Sequence, residues 1–441
     1  MRKAIIQAVR RAVFAVAGAI IVAAAIAAVA GTWQTRAIPG ITGDNIVTPT
    51  DITFTATKAG DPFKAIPDSS LPRLRDPSLK VEKVIDGLTE PTSMTFVGNN
   101  NVLVTQKGGD VRLVRDGALQ QGPPLLSFKV ETASERGLLG VAYAKDKVFL
   151  YMTEQSGLDI RNRVYSYDLQ NGTLSGNSTK KMILDLPGTP GPNHDGGKII
   201  VGPDGYLYIV IGDLNRNGML QNYKNGAVPD NTSVILKVGL DGAPAANILS
   251  GAGGLEGYYA YGIRNSFGMD FDPRNGKLWA TENGPDRYDE VNVAEPGFNS
   301  GWERVMGPIS RSQQQVSEGD LVMFNGAHYS DPVFSWRQSM GVTDIEFLNS
   351  TKLGDKYAYN VFVGDVNNGN LYYFTVNGKR DGFTLEGNLS DRVADNDAEG
   401  SAITLGTAFG GITDIETGPD GYLYILSYGK GSIYRIVPAA Q

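Results

Sequence analysis

The sequence predicts an all-β protein, and three observations carry that prediction. From about residue 81 onward, short runs of Val, Ile, Leu and Tyr alternate with turns of Gly, Asp, Asn and Pro. No part of this region has the 3.6-residue periodicity of a convincing amphipathic helix. The unit GPDGYLYI occurs twice, at 202–209 and at 418–425, and each copy leads from a tight turn into an alternating strand.

The repeated unit predicts a specific all-β architecture. Looser copies of the turn and strand occur at 96–105 and 271–280. Four-stranded units that recur along a chain are typical of a β-propeller, which removes most free sheet edges by closing radially. About 360 residues divided among six blades gives roughly 60 residues per blade. A β-sandwich or a pair of β domains is the alternative, but recurrence at both ends of the region favours the six-bladed propeller.

The N-terminus predicts export. Four cationic residues, at positions 2, 3, 10 and 11, precede an uncharged run rich in Ala, Val and Ile at 12–33. About 20 apolar residues suffice for a transmembrane helix, whereas a signal-peptide core has about 7–15. The basic flank should stay in the cytoplasm, which places the later residues outside. Residues 28–30 (AVA) resemble a cleavage site, so a membrane anchor and a secreted product both stay open.

These features divide the chain into three parts. Residues 1–33 are expected to be a signal peptide or a transmembrane anchor. Residues 34–80 carry many Pro, Thr and Asp residues without sustained periodicity, which predicts a linker or clasp. Residues 81–441 are expected to form the propeller.

Composition excludes several classes of function. The net charge is −7 although four cations lie in the N-terminal segment, so the predicted propeller is more acidic still and should not bind nucleic acid. The absence of Cys excludes disulfides, thiolate metal sites and a Cys nucleophile. With only two His residues in the chain, a His-rich metal cluster is impossible.

His194 is the residue that most clearly indicates chemistry. It lies in the segment 191–198 (GPNHDGGK), which opens onto a predicted strand. Imidazole titrates near neutrality, so a histidine in a Gly-rich loop is a candidate general base. The alternative is a histidine that caps a turn or packs beside one. Loops on rigid sheets often carry binding chemistry, which favours the functional interpretation.

Eight short segments occur in an order typical of one family. They are 135–140 (ERGLLG), 193–198 (NHDGGK), 202–205 (GPDG), 211–213 (IGD), 262–265 (GIRN), 281–285 (TENGP), 289–292 (DEVN) and 299–302 (NSGW). Each segment is weak alone. Together, from about 85 to 438, they make the chain resemble the soluble quinoprotein glucose dehydrogenases, including the aldose sugar dehydrogenases (glucose/sorbosone dehydrogenases).

The resemblance implies a fold and an activity. It implies a six-bladed propeller that oxidises the C1 hydroxyl of an aldose to a lactone with pyrroloquinoline quinone (PQQ) and calcium. His194 would take the hydroxyl proton, and Asn193 stands where the family commonly has an acid that orients this base. Arg264 would stabilise charge on the reduced cofactor, and Arg264 and Asn265 would both face the quinone oxygens.

The resemblance also implies the rest of a site. Asn283 and Glu135 would lie beside the cofactor, and Glu135 and Trp336 would contact the sugar. Gly284 and Pro285 would offer backbone carbonyls to calcium, a hard cation that accepts such oxygens. The alternative for each residue is a structural role in holding the propeller turns together.

The sequence departs from the family where PQQ carboxylates would bind. The family has a Lys and an Arg-x-Arg pair there, and these positions fall at Asn367 and at about Gly411 and Thr413. Loss of three cations should weaken PQQ binding by several kcal/mol, at about 1.5–3 kcal/mol per charged hydrogen bond. The candidate replacements are Lys198, Arg136 and Arg337.

The expected function is therefore calcium- and PQQ-dependent sugar oxidation outside the cytoplasm. The expected partners are a sugar substrate, an external electron acceptor and, through the N-terminal helix, a membrane. The rival interpretation is a non-catalytic propeller that binds glycans or a cell-surface partner, which the missing cations favour. A calcium-dependent propeller hydrolase is a third possibility, although no specific motif indicates it.

Overall fold

The computed structural model describes Ile52–Thr53 and residues 61–439, apart from 170–172, 175–177, 218, 219, 227, 313 and 314. The predicted helix within 1–33 lies outside these residues. Within them, no helix combines the length and the apolar character needed to cross a membrane.

The regular secondary structure of the described chain is almost entirely β-strand. The N-terminal strands are β1 (Ile52–Thr53), β2 (Arg73–Leu74) and β3 (Leu79–Ile85). The next ten are β4 (Pro91–Val97), β5 (Asn101–Gln106), β6 (Asp110–Arg115), β7 (Ala118–Leu119), β8 (Leu126–Ser127), β9 (Leu138–Ala144), β10 (Lys147–Ser156), β11 (Asp159–Asp168), β12 (Thr173–Leu174) and β13 (Lys180–Pro187).

The middle of the chain continues the pattern. Its strands are β14 (Ile199–Val201), β15 (Leu207–Ile211), β16 (Val234–Val238), β17 (Tyr258–Tyr261), β18 (Met269–Phe271), β19 (Leu278–Glu282), β20 (Asp289–Ala294), β21 (Phe298–Asn299), β22 (His328–Tyr329) and β23 (Phe334–Trp336). The last strands are β24 (Val342–Phe347), β25 (Val361–Asp365), β26 (Leu371–Phe374), β27 (Val393–Ala394), β28 (Thr404–Thr407), β29 (Ile412–Thr417), β30 (Leu423–Ser427) and β31 (Ser432–Pro438). The helices described are short: α1 (Asp397–Ile403) and the 3-10 helices Ile309–Arg311, Glu318–Asp320 and Gly387–Asp391.

Six sheets form a closed ring, which confirms the predicted all-β propeller. Their innermost strands are β4, β9, β14, β18, β24 and β29, and these define blades 1 to 6. Each innermost strand contacts the next, and β29 contacts β4. The loops that precede each innermost strand, and those that follow each second strand, therefore lie on one face of the ring. We call this face the loop face.

Residues before blade 1 complete the last two blades. Strand β3 pairs antiparallel with the C-terminal strand β31, from Leu79 opposite Pro438 to Ile85 opposite Ile433. Strand β2, from the segment expected to be a linker or clasp, forms the outer edge of blade 5 by pairing with β28. Opening the ring at blade 6 therefore requires breaking a whole ladder of backbone hydrogen bonds.

The duplicated GPDGYLYI unit forms the same turn twice. The hydroxyl of Tyr208 donates to Asp204 Oδ2 at 2.9 Å, and that of Tyr424 donates to Asp420 Oδ2 at 2.8 Å. All five side chains of the following strand β15 are buried. The turn thus fixes the strand, and the strand fills the core between neighbouring blades, as its alternating sequence predicts.

Candidate active site

Four loop-face segments of blades 3 and 4 converge on one site. The backbone N–H of Asp213 donates to the Arg264 carbonyl at 2.9 Å, and that of Asn283 donates to the Asn265 carbonyl at 2.7 Å. Gly212 permits this approach, because a Cβ there would lie 2.5 Å from the Arg264 oxygen and 2.6 Å from the His194 oxygen. Backbone packing, rather than chain proximity, assembles the site.

His194 is held rigidly at the centre. Its φ of 67° lies in the left-handed region, which is costly for a residue with a Cβ. The backbone N–H donates to Glu135 Oε2 at 2.6 Å, and ring Nδ1 lies 2.5 Å from Asp213 Oδ1. Because a buried carboxylate accepts hydrogen bonds, Nδ1 carries the proton and Nε2 keeps its lone pair. That tautomer is the one a general base requires.

Asp213 connects the base to the rest of the site. It is buried, and its Oδ1 also accepts the N–H of Asn215 at 3.0 Å, while its Oδ2 accepts Nε1–H of Trp302 at 2.8 Å. The Trp302 ring in turn lies 5.3 Å from the Arg264 guanidinium carbon. A single indole therefore orients the carboxylate on one side and packs against the cation on the other.

Asn193 does not contact the His194 ring. Its Oδ1 accepts a hydrogen bond from the Ser134 hydroxyl, and its backbone N–H donates to Asn215 Oδ1 at 3.0 Å. The carboxylate beside the His194 ring belongs to Asp213, and not to position 193, where the family commonly has an acid. The segments 211–213 and 299–302 marked Asp213 and Trp302 as family positions, but the sequence did not assign their roles.

Arg264 is a partly buried cation between carboxyl groups. Burial lowers the pKa of Arg264, while the surrounding carboxylates oppose this shift. Its Nη1 donates to the Asn283 carbonyl at 2.9 Å, but its buried Nε has no hydrogen-bond partner among the residues that the structure describes. Glu282 accepts the Arg264 backbone N–H at 2.7 Å and the Ser300 hydroxyl at 2.5 Å. Burial raises the pKa of Glu282 to about 7, against the opposing effects of these hydrogen bonds and the cation.

Glu135, Asn265 and Asn283 surround this network. Glu135 Oε2 accepts Nδ2 of Asn265 at 3.0 Å, in addition to the His194 N–H. The buried Oδ1 of Asn265 accepts no hydrogen bond from any described residue. Asn283 is buried, and its Nδ2 donates to the Val342 carbonyl at 2.8 Å. Glu135 and Asn265 thus contact the His194 network directly, whereas the Asn283 side chain joins blade 4 to blade 5.

Gly284 and Pro285 offer carbonyl oxygens that no described residue uses. Neither oxygen accepts a hydrogen bond within the described chain. Asp289 fixes the loop, because its Oδ1 accepts the Gly284 N–H at 2.9 Å and its Oδ2 accepts the Met340 N–H at 2.7 Å. No group of three or more His, Asp or Glu side chains able to hold a metal occurs in the described residues. A carbonyl-based calcium site does not require one.

A cavity of about 280 Å³ opens beside the site, and Glu135 lines it. Thr413, one of the positions without the expected arginine, lies on its wall and donates its hydroxyl to the Pro91 carbonyl at 2.9 Å. Gly411 could not carry an arginine side chain without rearrangement, because its φ is 83° and a Cβ would lie 2.9 Å from the Val366 oxygen. Lys107, which no sequence motif marked, also lines the cavity, and its Nζ donates to the Thr132 carbonyl at 2.7 Å.

The three candidate replacement cations have other partners. Lys198 lines the same cavity, but its buried ammonium binds Asp344 at 2.9 Å and Asp414 at 2.6 Å. Arg136 is buried and donates to backbone carbonyls, one of them that of Gly188 at 2.5 Å. Arg337 is more than half exposed and lies 3.5 Å from Asp395, outside the residues that line the cavity. Of the two described cations that line the cavity, Lys198 binds carboxylates and Lys107 has no carboxylate partner within the described chain.

Trp336 does not line the cavity that Glu135 lines, but a different one. It is buried against Phe334 and Tyr372, with ring centroids 4.9 and 5.0 Å away. Its indole Nε1 is buried and has no acceptor in the described part of the chain. Trp336 and Asn367 both line a cavity of about 420 Å³ between blades 4 and 5. The structure thus separates Trp336 from the cavity that Glu135 lines.

The structure is a six-bladed propeller with a buried histidine–carboxylate pair on its loop face. A model of the glucose/sorbosone dehydrogenase family matches residues 88–435. The chain therefore belongs to the glucose/sorbosone dehydrogenase family, as the ordered motifs predicted.

Individual relatives agree with this assignment. The chain is 27% identical over 383 residues to the aldose sugar dehydrogenase YliI of Escherichia coli, covering 82% of this chain and 93% of that protein. The crystal structure of the soluble aldose sugar dehydrogenase from Escherichia coli in its apo form has a TM-score of 0.64 and 25% identity, covering 82% of this chain and 100% of that one.

A further structure shares the fold. The PQQ-bound form of the aldose sugar dehydrogenase from Streptomyces coelicolor has a TM-score of 0.59 and 21% identity, covering 83% of this chain and 99% of that one.

Proposed function

We propose that the protein oxidises the C1 hydroxyl of an aldose to the lactone, using calcium and PQQ, outside the cytoplasm. Family membership and the names of its relatives support the reaction class. The observation that carries the proposal is the hydrogen bond from His194 Nδ1 to buried Asp213, which leaves Nε2 as a proton acceptor. The basic, apolar N-terminus supports export, either anchored or released after cleavage.

In the proposed reaction, each residue of the site would have a separate role. His194 Nε2 accepts the proton of the sugar hydroxyl, and Asp213 stabilises the imidazolium that results. The Trp302 indole keeps the Asp213 carboxylate in place during this transfer. Arg264 provides a fixed positive charge where negative charge develops. Glu135 holds the His194 backbone and Asn265 in register through one shared oxygen.

The residues at this end fit a quinone and calcium. Buried Nε of Arg264 and Oδ1 of Asn265 lack partners among the described residues, and a ligand with polar oxygens and a ring N–H could satisfy both. The free carbonyls of Gly284 and Pro285 suit a hard cation. When bound, PQQ would accept the hydride equivalent from C1 and pass electrons to an external acceptor.

The end of the site where the PQQ carboxylates would bind lacks the three cations that the family has there. Lys107, which lines the same cavity as Thr413, could bind a carboxylate in their place. Its Nζ makes one hydrogen bond within the described chain, to a neutral carbonyl, so two of its three N–H groups stay available. One lysine replaces less charge than the three expected cations, so PQQ affinity should be lower than in relatives that have all three.

The first test is calorimetric titration of the full chain, loaded with calcium, with PQQ. Binding at micromolar concentration or tighter, followed by aldose-dependent reduction of an artificial acceptor, would support the proposal. His194→Gln should then lower kcat by about 10²- to 10⁴-fold with PQQ affinity retained, whereas His328→Gln should change neither. Absence of PQQ binding, or turnover that survives His194→Gln, would reject the proposed reaction and favour the glycan-binding propeller.

A further inference from the structure

A second polar cavity adjoins the 420 Å³ cavity and extends it outward across blade 5. This outer cavity is about 320 Å³, and the two share three wall residues, Asn370, Ser401 and Thr404. Strand order within blade 5 runs β24, β25, β26, β28, β2 from the centre to the edge. Asn367 follows β25, Thr404 begins β28 and Arg73 lies on β2. The two cavities therefore form one radial groove, called here the blade 5 groove.

Three of the amides that line the inner half of the groove, those of Gln338, Asn367 and Asn370, have few or no partners within the described chain. Within the described chain, the side chains of Gln338 and Asn367 have no hydrogen-bond partner. Asn370 makes one side-chain hydrogen bond within the described residues, a long one of 3.4 Å to the Tyr372 hydroxyl. Each amide offers both donors and an acceptor, which is what a chain of hydroxyl groups requires. Asp397 is the carboxylate in this half.

Trp336 gives this half an unsatisfied donor. Its side chain is 1% exposed, and Nε1 has no partner in the described structure. A buried N–H without an acceptor costs free energy, and native proteins rarely leave one. A ligand oxygen at the inner end of the groove would satisfy it.

The outer half is cationic. Arg73 and Arg75 both line it, both are exposed, and their spacing of two residues places them on the same side of an extended segment. Within the described chain, the Arg73 guanidinium has no partner, and that of Arg75 makes a single long contact, 3.5 Å to the Ala402 carbonyl. No acidic residue lines this half. Guanidinium groups favour planar carboxylates, which they bind bidentately.

The inner end of the groove borders the candidate active site. Ser339 lines the groove, and its hydroxyl donates to Asp289 Oδ1 at 2.5 Å. The same Asp289 oxygen accepts the backbone N–H of Gly284. One carboxylate thus joins the wall of the groove to the loop that offers the carbonyls for calcium.

We propose that the blade 5 groove binds an acidic oligosaccharide, with sugar hydroxyls on the inner amides and a carboxylate-bearing unit on Arg73 and Arg75. The inference deepens the proposed function by naming a substrate class, and it rests on that function only for the oxidation of the bound chain. The binding itself depends on the groove alone, so it can be tested without cofactor.

The test compares two ligands of equal length, a short oligogalacturonide and a neutral malto-oligosaccharide, by calorimetry on the full chain. The wild type should bind the acidic chain more tightly, with an affinity that falls as salt rises. Arg73→Gln with Arg75→Gln should weaken the acidic chain by 10-fold or more and leave the neutral chain unchanged. Ser401→Trp, which fills the junction of the two halves, should remove binding of the acidic chain.

A matched control removes the same charge elsewhere. Arg115 and Arg392 line neither cavity, and their side chains have no partner within the described chain. Arg115→Gln with Arg392→Gln should leave oligogalacturonide affinity within twofold of wild type. Thermal denaturation should give wild-type midpoints for both arginine pairs. For Ser401→Trp, an unchanged circular dichroism spectrum and intact PQQ binding would show that the fold persists.

The outcomes separate this inference from the proposed function. The proposed binding in the groove would be refuted if the wild type did not bind the oligogalacturonide, or if the two arginine pairs lost equal affinity for it. His194→Gln should bind the acidic chain as the wild type does. If the chain binds but no quinone-dependent oxidation occurs, the proposed reaction fails and the groove stands. If oxidation of monosaccharides occurs but the acidic chain does not bind, the groove fails and the reaction stands.

Discussion

Replacing Asp213 by Asn should move the proton on His194 from Nδ1 to Nε2. In the wild type, Asp213 accepts three hydrogen bonds: from His194 Nδ1 and the Asn215 N–H on Oδ1, and from Trp302 Nε1 on Oδ2. Asn offers one oxygen and one NH₂ group in the same space. Because an indole nitrogen is only a donor, an NH₂ group facing Trp302 would leave two donors opposed in a buried position.

The two orientations of the introduced amide can be compared from the structure. With its oxygen on Trp302, the NH₂ group opposes the Asn215 N–H, which belongs to a partly buried loop. With its oxygen on His194 and Asn215, it opposes the indole of Trp302, a residue only 7% exposed. Each conflict costs about 1–3 kcal/mol when buried, and water can reach the partly buried loop of Asn215 more easily than it can reach Trp302. The first orientation should dominate, and it forces Nδ1 to become an acceptor.

The consequence for activity follows from the tautomer. Nε2 would then carry the proton and could not accept one from the sugar. We expect kcat to fall by about 10²- to 10⁴-fold, the range that a general base contributes. The free energy of unfolding should fall by about 1–3 kcal/mol, the cost of one opposed buried donor.

Nitrogen NMR of histidine-labelled protein measures the tautomer directly and needs no cofactor. The chain has two histidines, so His328→Gln assigns the two spectra. At a pH well above the ordinary imidazole pKa, wild-type His194 should be protonated on Nδ1 and the Asp213→Asn variant on Nε2. If both proteins gave the same tautomer, the proposed role of Asp213 would be refuted.

A second substitution should reverse the effect. Trp302→Phe removes the donor that forces the first orientation, so the introduced amide can turn its oxygen to His194. The double variant Asp213→Asn with Trp302→Phe should recover the Nδ1–H tautomer and more activity than Asp213→Asn alone. Trp302→Phe alone is the control for the lost packing against Arg264, and the four proteins form a double-mutant cycle. A double variant that loses the product of both single losses would argue against coupling through Asp213.

Three further predictions concern charge. Burial raises the pKa of Asp195 to about 6, so the stability that its protonated form contributes is complete below the ordinary carboxyl pKa and is lost as pH rises through about 6. In chemical denaturation, the free energy of unfolding of Asp195→Asn should therefore increase relative to that of the wild type from about pH 4 to about pH 8. A difference that stays constant with pH would contradict this. Lys198→Met leaves Asp344 and Asp414 without their buried cation and should cost about 3–5 kcal/mol, whereas the exposed Lys356→Met should cost less than about 1 kcal/mol. Thr413→Arg should raise PQQ affinity by about 10-fold or more in calorimetry, while Gly411→Arg should lower the melting temperature; equal effects of the two would count against the steric argument at Gly411.

The propeller was predictable because its evidence is local. Turn residues at fixed offsets and alternating apolar residues are visible in the sequence, and the GPDGYLYI copies form equivalent turns. The closure of blade 6 was not visible, because the pairing of β3 with β31 joins the two ends of the propeller region, Leu79–Ile85 and Ser432–Pro438. Nothing in either strand specifies its partner, and only the geometry of a ring makes them neighbours.

The candidate site was predictable in part for a related reason. Ordered motifs brought His194, Arg264 and Asn265 forward, and the structure gathers them on one face. The role of Asp213 depends on a contact across 19 residues that the absence of a Cβ at Gly212 permits. The packing of neighbouring blades decides that Lys107 lines the cavity beside the site and that Trp336 lines a different cavity. The sequence therefore predicted which segments form the site, but it did not predict which of their atoms are in contact.

The two ends of the site belong to different parts of the ring. The His194 network draws on the loop before blade 2 and the loops of blades 3 and 4, and its hydrogen bonds close among Glu135, Asp213, Glu282, Asn265 and Trp302. The positions without the expected cations belong to blades 5 and 6: Asn367 follows β25, Gly411 precedes β29 and Thr413 lies near the start of β29. Their loss consequently leaves the base, its carboxylate and the adjoining cation intact. Anchoring of a ligand can therefore change in this fold without disturbing proton transfer, which is why the tautomer of His194 and the affinity for PQQ should respond to different substitutions.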